Sequence, residues 1–321
     1  MRARGGRGRR AGAGLLVPAV AALVVIGLVV GGLLWVDSRR EAAGRCFATM
    51  PDGTVQRLET DQADNAALFA AIAEHRALPA RATTIAIATA LQESKMRNID
   101  YGDRDSVGLF QQRPSQGWGS VEEIMDPVYA TNAFFDVLVK VKNWQSAEIT
   151  DAAQDVQRSA FPQAYAQHET LARAFASSLT GHSRAQLTCQ LSGRTVLPDG
   201  TIVTDATDSA TVVARLDAIS SRLTRDFVTI DQEATEGGYV RVDAASLPLG
   251  AADPVRAGWA VAHWAVATAA ATGAQVVVVD GQVWQRADGS DAAWRPVADA
   301  GLPAALTDAA AAFPPGTVLI A

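Results

Sequence analysis

The sequence predicts three parts in series: an N-terminal transmembrane helix, a mostly α-helical domain, and a small α+β C-terminal domain. Three observations predict this class. Residues 11–36 contain no charged side chain and follow a cluster of arginines. Residues 64–180 place apolar side chains at helical spacing, broken by one long polar loop. Residues 211–321 combine two helical stretches with a valine-rich strand and an Asp-Gly turn.

The first part rests on length and charge. Residues 1–10 carry Arg2, Arg4, Arg7, Arg9 and Arg10 and no acid, and read as a cytoplasmic basic tail. About 20 apolar residues cross a hydrocarbon core, and residues 11–36 meet that length. Arginines on the N-terminal side predict a single-pass protein of the cell membrane, with residues 37–321 extracytoplasmic. A cleaved signal peptide would have a shorter apolar core of roughly 7–15 residues. Removing those five positive charges from the chain's −6 leaves −11 for the remainder. An acidic remainder has no means of neutralising phosphates, so nucleic acid is excluded as a partner.

Residues 37–62 read as a stalk with a turn at Pro51-Asp52-Gly53. Helices are expected over Asn65–Ala77 and Arg81–Ser94. The second is uncharged on every side from Ala82 to Gln92 and is therefore expected to be buried. Asn98–Gly119 is a Gly-, Asp- and Ser-rich loop around the apolar segment Val107–Phe110. Asp126-Pro127 is a helix start signal, an N-cap followed by proline at the first helical position. Further helices are expected over Thr150–Gln157 and Pro162–Thr180, the last stopped by Gly181. Cys46 and Cys189, the chain's two cysteines, flank this block. Their pairing would close the domain over residues 46–189 and contribute on the order of 4–5 kcal/mol in the chain-entropy model; two free thiols are the alternative.

Residues 190–210 are polar and turn-rich and read as a linker. Beyond it, Val212, Leu216, Ile219, Leu223 and Phe227 fall at helical spacing, and Pro254–Thr272 is a strongly apolar helix. Gln275–Asp280 reads as a strand, and Asp280-Gly281 before Gln282–Gln285 as a hairpin turn of type I′.

Chemistry concentrates at Glu93. Its carboxylate ends a buried, uncharged helix just before a polar loop. Desolvation and the negative end of the helix dipole both push its pKa upward. A carboxylic acid still protonated near neutral pH is what glycosidic cleavage requires of its proton donor. Read without function, Glu93 is a solvated helix end. Asp100, Asp103 and Asp105 could position a hydrolytic water, though solvated loop acids are the plainer reading. Their spacing misses the EF-hand pattern, and His75 and His168 have no ligand partners, so neither metal nor cofactor is expected. Tyr101 and Trp118 could stack on sugar rings or anchor the loop.

Leu91-Gln92-Glu93-Ser94, followed by Ser106-Val107-Gly108-Leu109-Phe110-Gln111 and Pro114, resembles the signature of the lytic transglycosylase and goose-type lysozyme group. The longer string GLFQQRPSQGWG is similar to envelope proteins of high-GC Gram-positive bacteria assigned to the same lysozyme-like superfamily. The resemblance spans roughly residues 60–180 and implies a lysozyme-like domain. It implies that Glu93 is general acid and then general base, that Ser94 orients it, and that Gln111 with the Gly108–Phe110 backbone lines a glycan groove. The family's third element carries a Tyr-Asn pair. The matching stretch, residues 152–159, offers Gln157 for the asparagine and no tyrosine.

Residues 258–264, 280–284 and 294–295 are similar to a C-terminal module of cell-wall proteins from the same bacteria. There Trp259 and His263 share a helix face, and His263 alone reads as a core histidine. The resemblance thus implies an enzyme cutting the β-1,4 bond between N-acetylmuramic acid and N-acetylglucosamine of peptidoglycan. The alternative is a lysozyme-like scaffold without catalysis, binding peptidoglycan or, through residues 211–321, an envelope protein partner.

Overall fold

The computed structural model describes residues 44–158, 163–191, 195–196, 202–203 and 209–321. The chain enters as a hairpin, β1 (Arg45–Thr49) and β2 (Val55–Glu59), where a stalk was expected. Alternation along β1 buries Cys46 and Ala48. Then α1 (Thr60–His75) opens on a capping box in which Gln62 Oε1 accepts the Glu59 amide at 3.0 Å. Next, α2 (Ala80–Ser94) is buried from Ala82 to Leu91, as its uncharged sequence requires. After the long loop come α3 (Val121–Met125) and α4 (Pro127–Leu138). The Asp126 carboxylate caps α4 by accepting the Val128 amide at 2.8 Å. Helices α5 (Ile149–Gln157) and α6 (Glu169–Leu179) follow. Residues 163–168 form a turn and a 3₁₀ segment, Ala166–His168, where helix was expected.

Strand β3 (Leu187–Gln190) pairs with β1 and sets Cys189 directly opposite Cys46. The two are joined as a disulfide, giving an antiparallel three-stranded sheet of order β2-β1-β3.

Beyond the two-residue strands β4 (Thr195–Val196) and β5 (Ile202–Val203), α7 (Ser209–Phe227) leads to β6 (Asp231–Ala234) and β7 (Val240–Asp243). The long helix α8 (Pro254–Thr272) precedes β8 (Val276–Val279) and β9 (Gln282–Gln285). Asp280 and Gly281 both have positive φ, as the type I′ turn demands. Last come β10 (Arg295–Pro296), α9 (Ala304–Ala312) and β11 (Thr317–Ile320). The resulting antiparallel sheet has six strands in the order β10-β9-β8-β11-β7-β6.

The predicted fold class is corrected in two respects. First, the helical block and the α+β block share one hydrophobic core, and residues 44–321 are one contact unit of mixed α/β structure with two main sheets. The cause is α8. It is buried on nearly every side, so it needs cover all round: α1 and α6 supply it on one flank, β8 and β11 on another. Two glycines permit this approach. A Cβ on Gly258 would sit 3.2 Å from the Gly316 Cα, and one on Gly181 would fall 1.9 Å from the Arg256 carbonyl. Polar groups close the junction as well. Arg256 of α8 makes a bidentate pair with Glu74 of α1 at 2.8 and 3.1 Å and donates to the Thr180 carbonyl at 2.7 Å. The buried Asp226 accepts from Arg222, Arg225 and Trp264, and Arg222 reaches Asp64 of α1 at 3.0 Å.

Second, the membrane expectations are not carried. Among the described residues no helix is long and apolar enough to cross a membrane. The apolar α8 contains Arg256 and is covered by protein. The expected anchor over residues 11–36, on which the single-pass placement in the cell membrane rests, lies outside the described residues and has no support among them.

Candidate active site around Glu93

Glu93 is the penultimate residue of α2. The chain leaves the helix through Lys95 and Met96, both with positive φ, and so turns sharply behind the carboxylate. The side chain is half-buried. Its Oε1 accepts the Tyr165 hydroxyl at 2.7 Å, and the Gln157 carboxamide also hydrogen-bonds it. Burial raises the carboxyl above its ordinary value; the bonds from Tyr165 and Gln157 pull part of the way back. No ionised side chain contributes among the described residues. The acid is thus held by neutral donors in a partly dry setting.

Gln157 of α5 ties the acid to the loop, since its Nε2 donates to the Phe110 carbonyl at 2.7 Å. The Phe110 ring faces away into the core, stacked on Phe134 at 4.5 Å and tilted against Phe69 at 5.1 Å. Only its carbonyl takes part near Glu93. Ser94 is buried and donates to the Leu109 carbonyl at 2.7 Å; its described bonds include none to Glu93. It therefore fastens the loop to the end of α2.

The loop is closed by its own bonds. Gly108 has φ +78° and donates to the Ile99 carbonyl at 2.7 Å; a Cβ there would meet the Ile124 carbonyl at 2.8 Å. Gln111 turns back, its Nε2 donating to the Tyr101 carbonyl at 3.2 Å. Asp105 accepts the Ser115 amide at 2.8 Å and Arg113 Nε at 2.7 Å. Ser115 first, then Arg113, hold its carboxyl far below the usual carboxylate range. Asp100 and Asp103 are exposed, the latter loosely beside Arg104.

The structure thus brings Glu93, Gln157 and the Phe110 carbonyl together, and lodges Ser94, Gly108 and Gln111 in the frame that holds them. Tyr101 stands out at 69% exposed, free to meet a ligand. Trp118 is half-buried against the core, its carbonyl accepting the Tyr129 hydroxyl at 3.2 Å.

Tyr165 was missed. The stretch beside Gln157 has no tyrosine, yet the phenol arrives from the turn eight residues later and is fully buried. Its one signal is a tyrosine in a polar stretch, which position alone does not connect to Glu93. His263 is the core histidine expected, with Nδ1 2.7 Å from the Ser178 carbonyl, and burial depresses its pKa to about 4. No protein-family model matches the chain, and neither does any curated protein.

Proposed function

We propose that this chain is a glycan-cleaving enzyme of the lytic transglycosylase type, cutting the β-1,4 bond between N-acetylmuramic acid and N-acetylglucosamine of peptidoglycan strands. One observation carries the reading: a half-buried carboxyl raised by burial and held, among the described residues, by the neutral donors Tyr165 and Gln157. The Tyr165 hydroxyl fixes the carboxyl's rotation through Oε1, and the proton is held on the other oxygen. That proton passes to the glycosidic oxygen as the C1–O bond breaks. Among the described residues no carboxylate is bonded to Glu93; in this reading the substrate's own 2-acetamido oxygen attacks C1. The carboxylate then takes the proton of the C6 hydroxyl, whose oxygen displaces the acetamido group. The product is a 1,6-anhydro sugar, and Glu93 is protonated again.

A second reading has its own observation. Ser94, Gln111 and the Phe110 ring are engaged inside the protein, which suits a scaffold that binds glycan without cleaving it. Digestion of purified peptidoglycan by the full chain and by Glu93→Gln separates the two, with the sugar ends read by mass spectrometry. New 1,6-anhydro ends from the unaltered chain alone support the transglycosylase, and new reducing ends indicate a hydrolase. A folded chain that sediments with peptidoglycan and releases nothing is the scaffold.

A further inference from the structure

A cavity of about 330 Å³ opens at the start of α2, the end remote from Glu93. Its size is that of a small-molecule site. Along the helix Arg81 and Glu93 are about 18 Å apart at 1.5 Å rise per residue, so the cavity is no part of the site described above. Four segments wall it: the β1–β2 turn, the start of α2, α6, and residues 182–183 beyond α6. Among the described residues lining it none is acidic, whereas Arg81, Arg173 and His182 are all present. Asp52, which follows the lining residue Pro51, is turned onto the Thr54 amide at 2.8 Å.

Arg81 lacks a counter-ion. Its Nε donates to the Trp144 carbonyl at 2.8 Å, which pins the guanidinium in place. The described bonds include none from Nη1, and Nη2 is buried without a partner. A charge drawn out of water in this way is costly until an anion meets it. Other donors surround the same space. Ser177 Oγ and Ser183 Oγ lie 2.7 Å apart, and whichever donates, the other keeps a hydrogen with no described acceptor. Arg173 spends Nε and Nη2 on one oxygen of Glu169 and keeps Nη1. Pro79 offers no side chain to cap α2, and the first turn holds no acid, so the positive end of the helix dipole is uncovered.

We infer that this cavity binds the phosphate group of a small phosphorylated ligand, with Arg81 as the fixed charge and the Ser177–Ser183 pair donating to the phosphate oxygens. The donors approach from α2, α6 and the turn after α6, and a tetrahedral group presents oxygens in all three directions, which a flat carboxylate does not. Met50, Pro51 and Ala174 give the cavity an apolar side for the carbon part of the ligand. The inference is independent of the glycan reading. A ligand seated here ties four chain segments together and stabilises the fold by mass action.

The test is calorimetric titration of the full chain with inorganic phosphate and with glycerol phosphate, at ionic strength held constant with chloride, alongside melting curves. The expected result is saturable binding at one site and a melting temperature that rises with ligand. Tighter binding of the ester identifies a phosphorylated small molecule as the occupant. Arg81→Gln should weaken binding about tenfold or more, the loss of a charge-assisted hydrogen bond being worth at least that factor. The double variant Ser177→Ala, Ser183→Ala leaves the Trp144 tie intact and should weaken binding about tenfold with little change in the ligand-free melting temperature. Absence of saturable binding by the parent overturns the inference. So does binding that the serine double variant leaves unchanged, and so does glutarate binding as tightly as the phosphates.

Discussion

Glu74 and Glu93 are the same residue type at the same place in neighbouring helices, each one residue from the end, α1 in one case and α2 in the other. Both are drawn out of water. Glu74 meets a guanidinium: Arg256 forks onto both of its oxygens, and the pair is sealed between the two halves of the fold. Glu93 meets a phenol and a carboxamide, with burial raising its carboxyl. A guanidinium forked onto both oxygens makes Glu74 a structural rivet. Neutral partners leave a proton within reach. Partner charge, more than depth of burial, separates the rivet from the reagent.

The largest effect is expected where the reagent is removed. Glu93→Gln should lower glycan cleavage by about 10²–10⁴-fold, the usual contribution of a positioned general acid, as read from newly formed sugar ends. Its stability should move the other way. A raised folded-state pKa supplies stability that is complete below the unfolded value and lost as pH rises through the folded one. At neutral pH, then, the Gln variant should melt no lower than the parent.

Removing the rivet has the opposite profile. Glu74→Gln leaves Arg256 buried with an unpaired charge and should cost roughly 3–5 kcal/mol in urea denaturation, with unchanged cleavage per folded molecule. Glu74→Leu combined with Arg256→Met should recover most of that loss. A loss of cleavage in the folded double variant would break the comparison.

Tyr165→Phe sharpens it. The phenol's bond favours the ionised carboxyl, so its loss raises the pKa further. Because the protonated acid drives the first step, activity falls as pH rises through that pKa. The variant's alkaline limb should therefore shift to higher pH, and its rate should fall roughly tenfold through lost orientation. The smallest effect belongs to Asp105→Asn, which cuts a loop brace. It should leave cleavage and global unfolding unchanged and show only as faster hydrogen exchange at the Ser115 amide.

Local signals made part of this legible in advance. Glu93 at the end of an uncharged helix, Asp126-Pro127 as a helix start and Asp280-Gly281 as a turn are each written within a few residues, and each is found where expected. What stayed hidden depends on distant partners. Tyr165 lies 72 positions from the carboxylate it bonds. The β1-β2 hairpin looked like stalk because β3, the strand that completes its sheet, comes about 140 residues later. α8 looked like the core of a separate domain because its sequence is apolar on all sides without stating which neighbours cover it. Nor could the loop residues be sorted, since Ser94 and Gln111 are polar whether they face a sugar or the loop's own carbonyls.

The shared core also has a consequence during synthesis. Glu74 leaves the ribosome 182 residues before Arg256. At about 5–20 residues per second that interval is roughly 10–40 s. Throughout it the α1 surface later covered by α8 is bare, with a carboxylate still awaiting its counter-ion. The nascent chain must therefore stay unaggregated until its last third emerges, and a ribosome stalled near residue 210 would display a sticky, acid-bearing helical block that no rearrangement of its own can close.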